Sequence, residues 1–290
     1  MMIKKEHLKR IFEGMLMGGA NVLPGVSGGT IALITGIYVR LISAINSIPL
    51  KSPILFLKRD FQQLKYQIRS VDYDFLIPLI IGILIGTLLL ARLMGYLLYT
   101  VPAITYSFFF GLILASLGVI FKYIGKIDFS NIIWGSLGFF SAYLLIGLPP
   151  LQVDPTLFVV FICGILVMIV MILPGISGAF ILIFLQQYDF MLKALNNFEI
   201  HIILTFITGG VVGLFGFSKV LEYLLNRYYS AILSILFGLT LGALRVQGEK
   251  IIYIDPPLHH IFIPAIIGAI LIILLEYRCI LPETSHEGPL

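Results

Sequence analysis

Six stretches of the chain stay apolar for about the thickness of a bilayer: residues 75–98, 103–121, 131–148, 202–217, 228–244 and 261–275. A helix needs about 20 such residues to cross a hydrocarbon core, so the pattern predicts at least six membrane-spanning helices. The run from Gly14 to Ser43 behaves differently, being too long for one straight span and interrupted near its middle by Pro24-Gly25. Proline removes a helical donor and clashes with the turn before it, so this run predicts two half-helices joined at membrane depth. Irregular backbone at that depth must be buried in protein or line a polar cavity, because lipid satisfies no hydrogen bonds.

The same pattern occurs twice. Leu23 to Asn46 (LPGVSGGTIALITGIYVRLISAIN) lies over Leu173 to Asn196 (LPGISGAFILIFLQQYDFMLKALN) without a gap at an offset of 150 residues, pairing Pro24 with Pro174, Ser27 with Ser177 and Tyr38 with Tyr188. Further on, the halves realign at an offset of 127, pairing Gly82 with Gly209, Gly86 with Gly213, Arg92 with Lys219 and Gly111 with Gly238. The difference is a 23-residue insertion in the first copy, within the polar 47–74 segment. Its 58–74 part interleaves basic and apolar residues, as either an interfacial amphipathic helix or a solvated loop helix does.

The expected fold is an all-α polytopic membrane protein of two inverted repeats, each a re-entrant helical hairpin with a PGxSG tip followed by about three transmembrane helices. Repeat 1 covers 1–150, with its hairpin at 11–46, the insertion at 47–74 and spans over 75–148. Repeat 2 covers 151–290, with its hairpin at 156–196, spans over 200–278 and a C-terminal tail. Three full crossings after a re-entrant hairpin invert the second copy, and the prolines of Leu148 to Pro155 mark the boundary.

Composition agrees with a bilayer setting: 59% of the 290 residues are hydrophobic and 12% are charged. The net charge of +4 is a feature of loops. With both termini cytoplasmic, Lys4, Lys5, Lys9, Arg10, Lys51, Lys58, Arg59, Lys65, Arg69, Lys122, Lys126, Arg227 and Arg278 fall inside, leaving Lys193, Arg245 and Lys250 outside. This argues for a positive-inside orientation and against nucleic-acid binding. Cys163 and Cys279 lack the spacing of a metal knuckle, so no metal and no cofactor is expected.

The PGxSG tips carry the candidate chemistry. Their glycines permit unusual dihedrals, Ser27 and Thr30 are suited to cap freed amides, and a helix amino terminus attracts anions. Gly25-Val26-Ser27-Gly28-Gly29 also fits the G-x-S-x-G of serine hydrolases, but that elbow needs a preceding strand and a histidine base, and the five histidines sit near ends or loops. No catalytic residue is expected. Arg92 and Lys219 are cations within apolar segments, either meeting lipid phosphates at opposite faces or snorkelling to the interface. Glu13 and Asp189 on the hairpin arms suit either a proton relay in a coupled transporter or, the favoured reading, hydrated residues at arm ends, and Tyr38 and Tyr188 are read as interfacial anchors.

GGANVLPGVSGGTIALITGIY, with its second copy ILPGISGAFILIFLQQYD, resembles the PopT family of polyprenyl-phosphate (undecaprenyl-phosphate) transporters over nearly the whole chain. It departs from that family's pattern at Val39, where an acidic residue often follows the tyrosine; the second arm keeps Asp189. The resemblance implies a transporter in the bacterial cell membrane that returns undecaprenyl phosphate from the outer to the cytoplasmic leaflet for reuse in cell-envelope polymer synthesis. Its partners would be the lipid and the bilayer. The implied binding residues are Asn21, Pro24, Gly25, Ser27, Gly28, Gly29 and Thr30, with Pro174, Gly175, Ser177 and Gly178 from the other half. Two other classes remain compatible with the residues themselves: a channel or carrier for a small anion, and a membrane-embedded lipid hydrolase.

Overall fold

The computed structural model describes residues 5–21, 27–49, 62, 65–66, 69–125 and 127–280, with side chains up to 274. Pro24, Gly25, most of the 47–74 insertion and the tail after 280 lie outside the described residues. Among the described residues the structure is helical throughout. The first half contains α1 (Lys5–Asn21), α2 (Gly28–Ile34), α3 (Tyr38–Asn46), α4 (Tyr73–Thr100), α5 (Pro102–Ile124) and α6 (Phe129–Gly147). The second contains α7 (Leu157–Ile172), α8 (Gly178–Phe184), α9 (Tyr188–Asn196), α10 (Ile200–Ile254) and α11 (His259–Ile280). Four of these, α4, α5, α6 and α10, are long and apolar enough to cross a membrane. The pairs α2–α3 and α8–α9 bend by 119° and 108°, and counting each as a span raises the total to six.

Helix boundaries follow local chemistry. Pro102 starts α5 at a position whose N–H would be unpaired anyway, and the Thr156 hydroxyl caps α7 by accepting from Val159 N at 3.3 Å. Gly36, at φ 74°, turns the chain between α2 and α3. Its counterpart Gln186 takes the same left-handed conformation at φ 53° without the freedom of glycine.

The expected spans 202–217 and 228–244 belong to the single long element α10, which breaks at Tyr228 (φ −132°, ψ 44°). Val101, 127 residues earlier, separates α4 from α5 with nearly the same backbone (φ −136°, ψ 56°). Pro102 punctuates the first break. No proline marks the second, so the packing of the arms of α10 against different neighbours imposes it.

Glycines set the helix spacing. A Cβ on Gly14 would strike Leu79 O, one on Gly82 would strike Ile11 O, and one on Gly86 would strike Met15 O, so α1 and α4 touch backbone to backbone. The same contacts recur between α7 and α10: Gly164 faces Phe206 O, Gly209 faces Phe161 O, and Gly213 faces Ile165 O at 2.5 Å. Without a hydrophobic driving force between helices in lipid, such close approach is what holds them together. The halves also exchange partners, because α6 packs on the second arm of α10 while α11 packs on α5. At the centre α5 crosses that arm, burying Ile113, Leu117 and Ile120 with Leu233 and Leu236.

One difference between the halves is chemical. Arg10 and Glu13 on α1 are 4% and 1% exposed and pair at 2.9 Å. The Arg10 and Arg40 guanidiniums stand 5.4 and 4.7 Å from the centre of the buried Phe75 ring. Arg40 also meets Asp72 at 2.9 Å. The equivalent positions in the second half hold Val160, Cys163, Phe190 and Ile202, an apolar patch. Glu13 is therefore a buried ion-pair residue and not the hydrated arm-end residue expected, because Arg10 neutralises it inside the helix packing. Asp189 is exposed.

Candidate functional site

The tips of the two hairpins meet at one buried point. Proline at 174 ends α7, and the last carbonyls of the helix are left without intrahelical donors. The first hairpin supplies them: Ser27 Oγ donates to Leu173 O at 3.0 Å and Tyr38 Oη donates to Ile172 O at 3.2 Å. In return Gly175 N donates to Thr30 Oγ1 at 3.0 Å. Thr30 Oγ1 and Ser27 Oγ lie 3.2 Å apart, and because the Ser27 proton is committed to Leu173, the threonine donates in that contact. Ser27 also caps α2 by accepting from Thr30 N at 3.3 Å. The result is one continuous chain of hydrogen bonds from Gly175 through Thr30 and Ser27 to Leu173.

Asn21 closes the first tip from the other side, its Oδ1 accepting from Gly28 N at 2.7 Å. Gly29 lies so close to Ile172 O that any Cβ there would collide with it. Of the residues expected at the site, Asn21, Ser27, Gly28, Gly29, Thr30, Pro174, Gly175, Ser177 and Gly178 gather at or beside this point; all are buried except the half-buried Asn21.

The second tip is less engaged. Ser177 is 6% exposed, yet its hydroxyl makes no hydrogen bond among the described residues. The counterparts of Asn21 and Thr30 are Met171 and Phe180, so the polar chemistry of the junction comes mostly from the first hairpin.

Arg92 and Lys219 are exposed and take no part in the junction. Two clefts of about 240 and 260 Å³ open between α6 and α10, and neither is lined by a tip residue. Among the described residues no group of three His, Cys, Asp or Glu side chains could hold a metal ion.

Tyr38 is a correction to the sequence reading. It is 2% exposed and bonded to the opposite hairpin, so it is a structural member of the junction and not an interfacial anchor. Tyr188, 39% exposed, has no such partner. The repeat of Tyr38 at Tyr188 marked the position without revealing its role, because a hydroxyl bound to a backbone carbonyl leaves no second residue type to read.

Paired discontinuous helices meeting inside an all-α bundle define a polytopic membrane protein with bent, re-entrant-type helix pairs. Within that class the particular family is clear: residues 17–250 match the VCA0040-like family, described as undecaprenyl phosphate translocase-like, and the chain belongs to it. It is 42% identical over 238 residues to a polyprenyl-phosphate transporter of Vibrio cholerae serotype O1, an alignment covering 82% of this chain and 76% of that protein. It is 29% identical over 252 residues to a polyprenyl-phosphate transporter of Staphylococcus aureus, covering 81% and 83%. No solved structure matches the chain.

Proposed function

We propose that this chain transports polyprenyl phosphate, returning undecaprenyl phosphate from the outer to the cytoplasmic leaflet of the bacterial cell membrane for reuse in cell-envelope polymer synthesis. The observation that carries this reading is the convergence of two bent hairpins on one buried polar junction, in a chain whose family and relatives bear transporter names. The isoprenoid tail stays in lipid, and only the phosphate needs a substitute for its water. Broken-helix amides and hydroxyls of Asn21, Pro24, Gly25, Ser27, Gly28, Gly29 and Thr30, with Pro174, Gly175, Ser177 and Gly178, supply that substitute as the junction opens. Ser177, with its unused hydroxyl, is the first donor to reach the phosphate.

The halves 1–150 and 151–290 are inverted repeats, with both termini cytoplasmic. The asymmetry of basic residues between the loops supports this orientation. Arg92 lies toward the outer face and Lys219 toward the cytoplasmic face, where each collects the lipid phosphate. In this reading the chain performs no chemistry on its substrate: the Ser27 hydroxyl donates its hydrogen bond to a backbone carbonyl, which cannot act as the base an activated serine needs.

The test is flipping of a fluorescent short-chain polyprenyl phosphate in liposomes holding oriented protein. Wild-type protein should accelerate flipping, and unlabelled polyprenyl phosphate should compete. Arg92→Gln should slow uptake from the outer leaflet, with Arg92→Lys a partial rescue, since lysine lacks the bidentate geometry of arginine. Lys219→Gln should slow exchange at the cytoplasmic face. If both glutamine variants fold and flip at the wild-type rate, the two cations are interface anchors. If wild-type protein gives no flipping, the substrate assignment fails.

A further inference from the structure

We propose that the hydrogen-bonded seam of Asn46, Ser218 and Glu222 is the closed gate on one side of the carrier, and that the matching gate on the opposite side, between α9 and α4, is unlatched. The proposal rests on the transporter reading above and adds to it which side is shut and by which residues.

The hairpins match in sequence and differ in setting. All seven residues of α2 are buried, and besides its hairpin neighbours α1 and α3 it packs on α5 and α7. Its counterpart α8 buries only Gly178 and Ile181 and packs on α7 and α9. Likewise α3 buries Tyr38, Ile42, Ala44 and Ile45 and packs across the molecule on α10, whereas α9 buries Ala194 alone and makes no comparable packing with α4. The two copies sit in different settings and differ where the junction is made, with Gly29 and Thr30 in the first against Ala179 and Phe180 in the second.

The seam explains which copy is held. Asn46 Nδ2 donates to Glu222 Oε2 at 2.7 Å and to Ser218 O at 3.0 Å, and Ser218 Oγ donates to Asn46 Oδ1 at 2.7 Å. Both donors and the acceptor of one amide are thus engaged with the first arm of α10. Ser218 is fully buried there. Rotating the amide would set its oxygen against the carboxylate, so the contact is specific in orientation.

The equivalent residues on the other side are Asn196, Ala91 and Gly95. All three are exposed, and a Cβ on Gly95 would meet nothing within 4 Å. The asparagine is kept and its side-chain partners are not. When the second hairpin swings in, Asn196 has only the Ala91 carbonyl to replace the contact Asn46 makes with Ser218 O, so that gate closes more weakly than the one seen shut. In the proposed orientation the seam lies near the cytoplasmic ends of α3 and the first arm of α10. The conformation observed is then one in which the cytoplasmic gate is shut and the outer hairpin is unlatched, with the junction between the tips still closed.

Paired cysteines test this in a functional background lacking Cys163 and Cys279. Cross-linking Asn46→Cys to Ser218→Cys should stop flipping, and reductant should restore it. Asn196→Cys with Ala91→Cys should cross-link when the molecule visits the opposite state, and that bond should also stop flipping. In a protein carrying all four cysteines, one molecule should form either bond and never both. Ser218→Ala, which leaves the helix intact, should raise the rate of the 196–91 cross-link about fivefold, the shift one neutral hydrogen bond produces. Molecules that carry both bonds, or that flip lipid normally with the 46–218 bond formed, overturn the gate. Mutually exclusive bonds in a protein that never flips polyprenyl phosphate would uphold the gate and sink the substrate reading instead.

Discussion

Ser27 and Ser177 hold equivalent places in the two hairpins and are used differently. Ser27 caps α2 and ties the first tip to Leu173, so Ser27→Ala leaves a buried carbonyl without its donor, while the Thr30 amide keeps the backbone oxygen of residue 27 at 3.0 Å. The expected cost is about 1–3 kcal/mol of stability, read as a lower unfolding temperature in detergent, together with slower flipping. Ser177→Ala removes a hydroxyl that bonds to nothing in the described structure, so stability should hold while transport falls by about 1.5–3 kcal/mol of lost binding to a charged phosphate. If Ser177→Ala flips normally, the second tip does not touch the phosphate. Ser27 and Thr30 were legible in the sequence because hydroxyls after a proline break have one obvious use, capping. Their partners across the junction were not, since Leu173 and Ile172 contribute backbone oxygen, which every residue has.

At the level of helices, the glycine pairs separate packing from propensity. Gly86→Ala adds a methyl that meets the backbone of Met15, and no side chain is there to yield. Forcing α1 and α4 apart should cost about 1–3 kcal/mol, against the roughly 1 kcal/mol of helix propensity gained. Gly95→Ala faces open space and should be neutral or slightly stabilising; size-exclusion recovery after a heating series measures both. The buried Arg10–Glu13 pair gives a second contrast. Glu13→Ala removes the nearer carboxylate of a buried guanidinium and leaves it Glu6 at 3.8 Å, so the variant should be clearly destabilised, while replacing both residues by the Val and Cys of the second half should cost less. Equal losses in the single and double variants would refute an ion pair tolerated only for its mutual neutralisation. The sequence showed the small residues and the charges of these helices. It could not show that Glu13 turns inward, because a charge three residues from an opposite charge reads the same on a wet face as on a buried one.

For the molecule as a whole, the proposed inversion makes a direct prediction: cysteines introduced in the 47–74 and 149–155 segments should react with impermeant reagent from opposite sides of the membrane. Reaction of both from one side would end the inverted reading. Hydropathy alone delimited the long spans, since the bilayer demands about 20 apolar residues per crossing and the chain must satisfy its own backbone. Self-similarity alone paired the hairpins, and Pro174 located the tip of the second, because proline breaks a helix whatever surrounds it. The tertiary structure decided what these local rules leave free. Asn46 and Asn196 stand in matching sequence, yet one is bound to Ser218 and Glu222, 172 and 176 residues away, while the other is exposed. Tyr38 and Tyr188 part in the same way. Periodicity and propensity act over a few turns of helix, whereas the settings of the two hairpins depend on contacts between halves, which exist only once both copies are folded against each other.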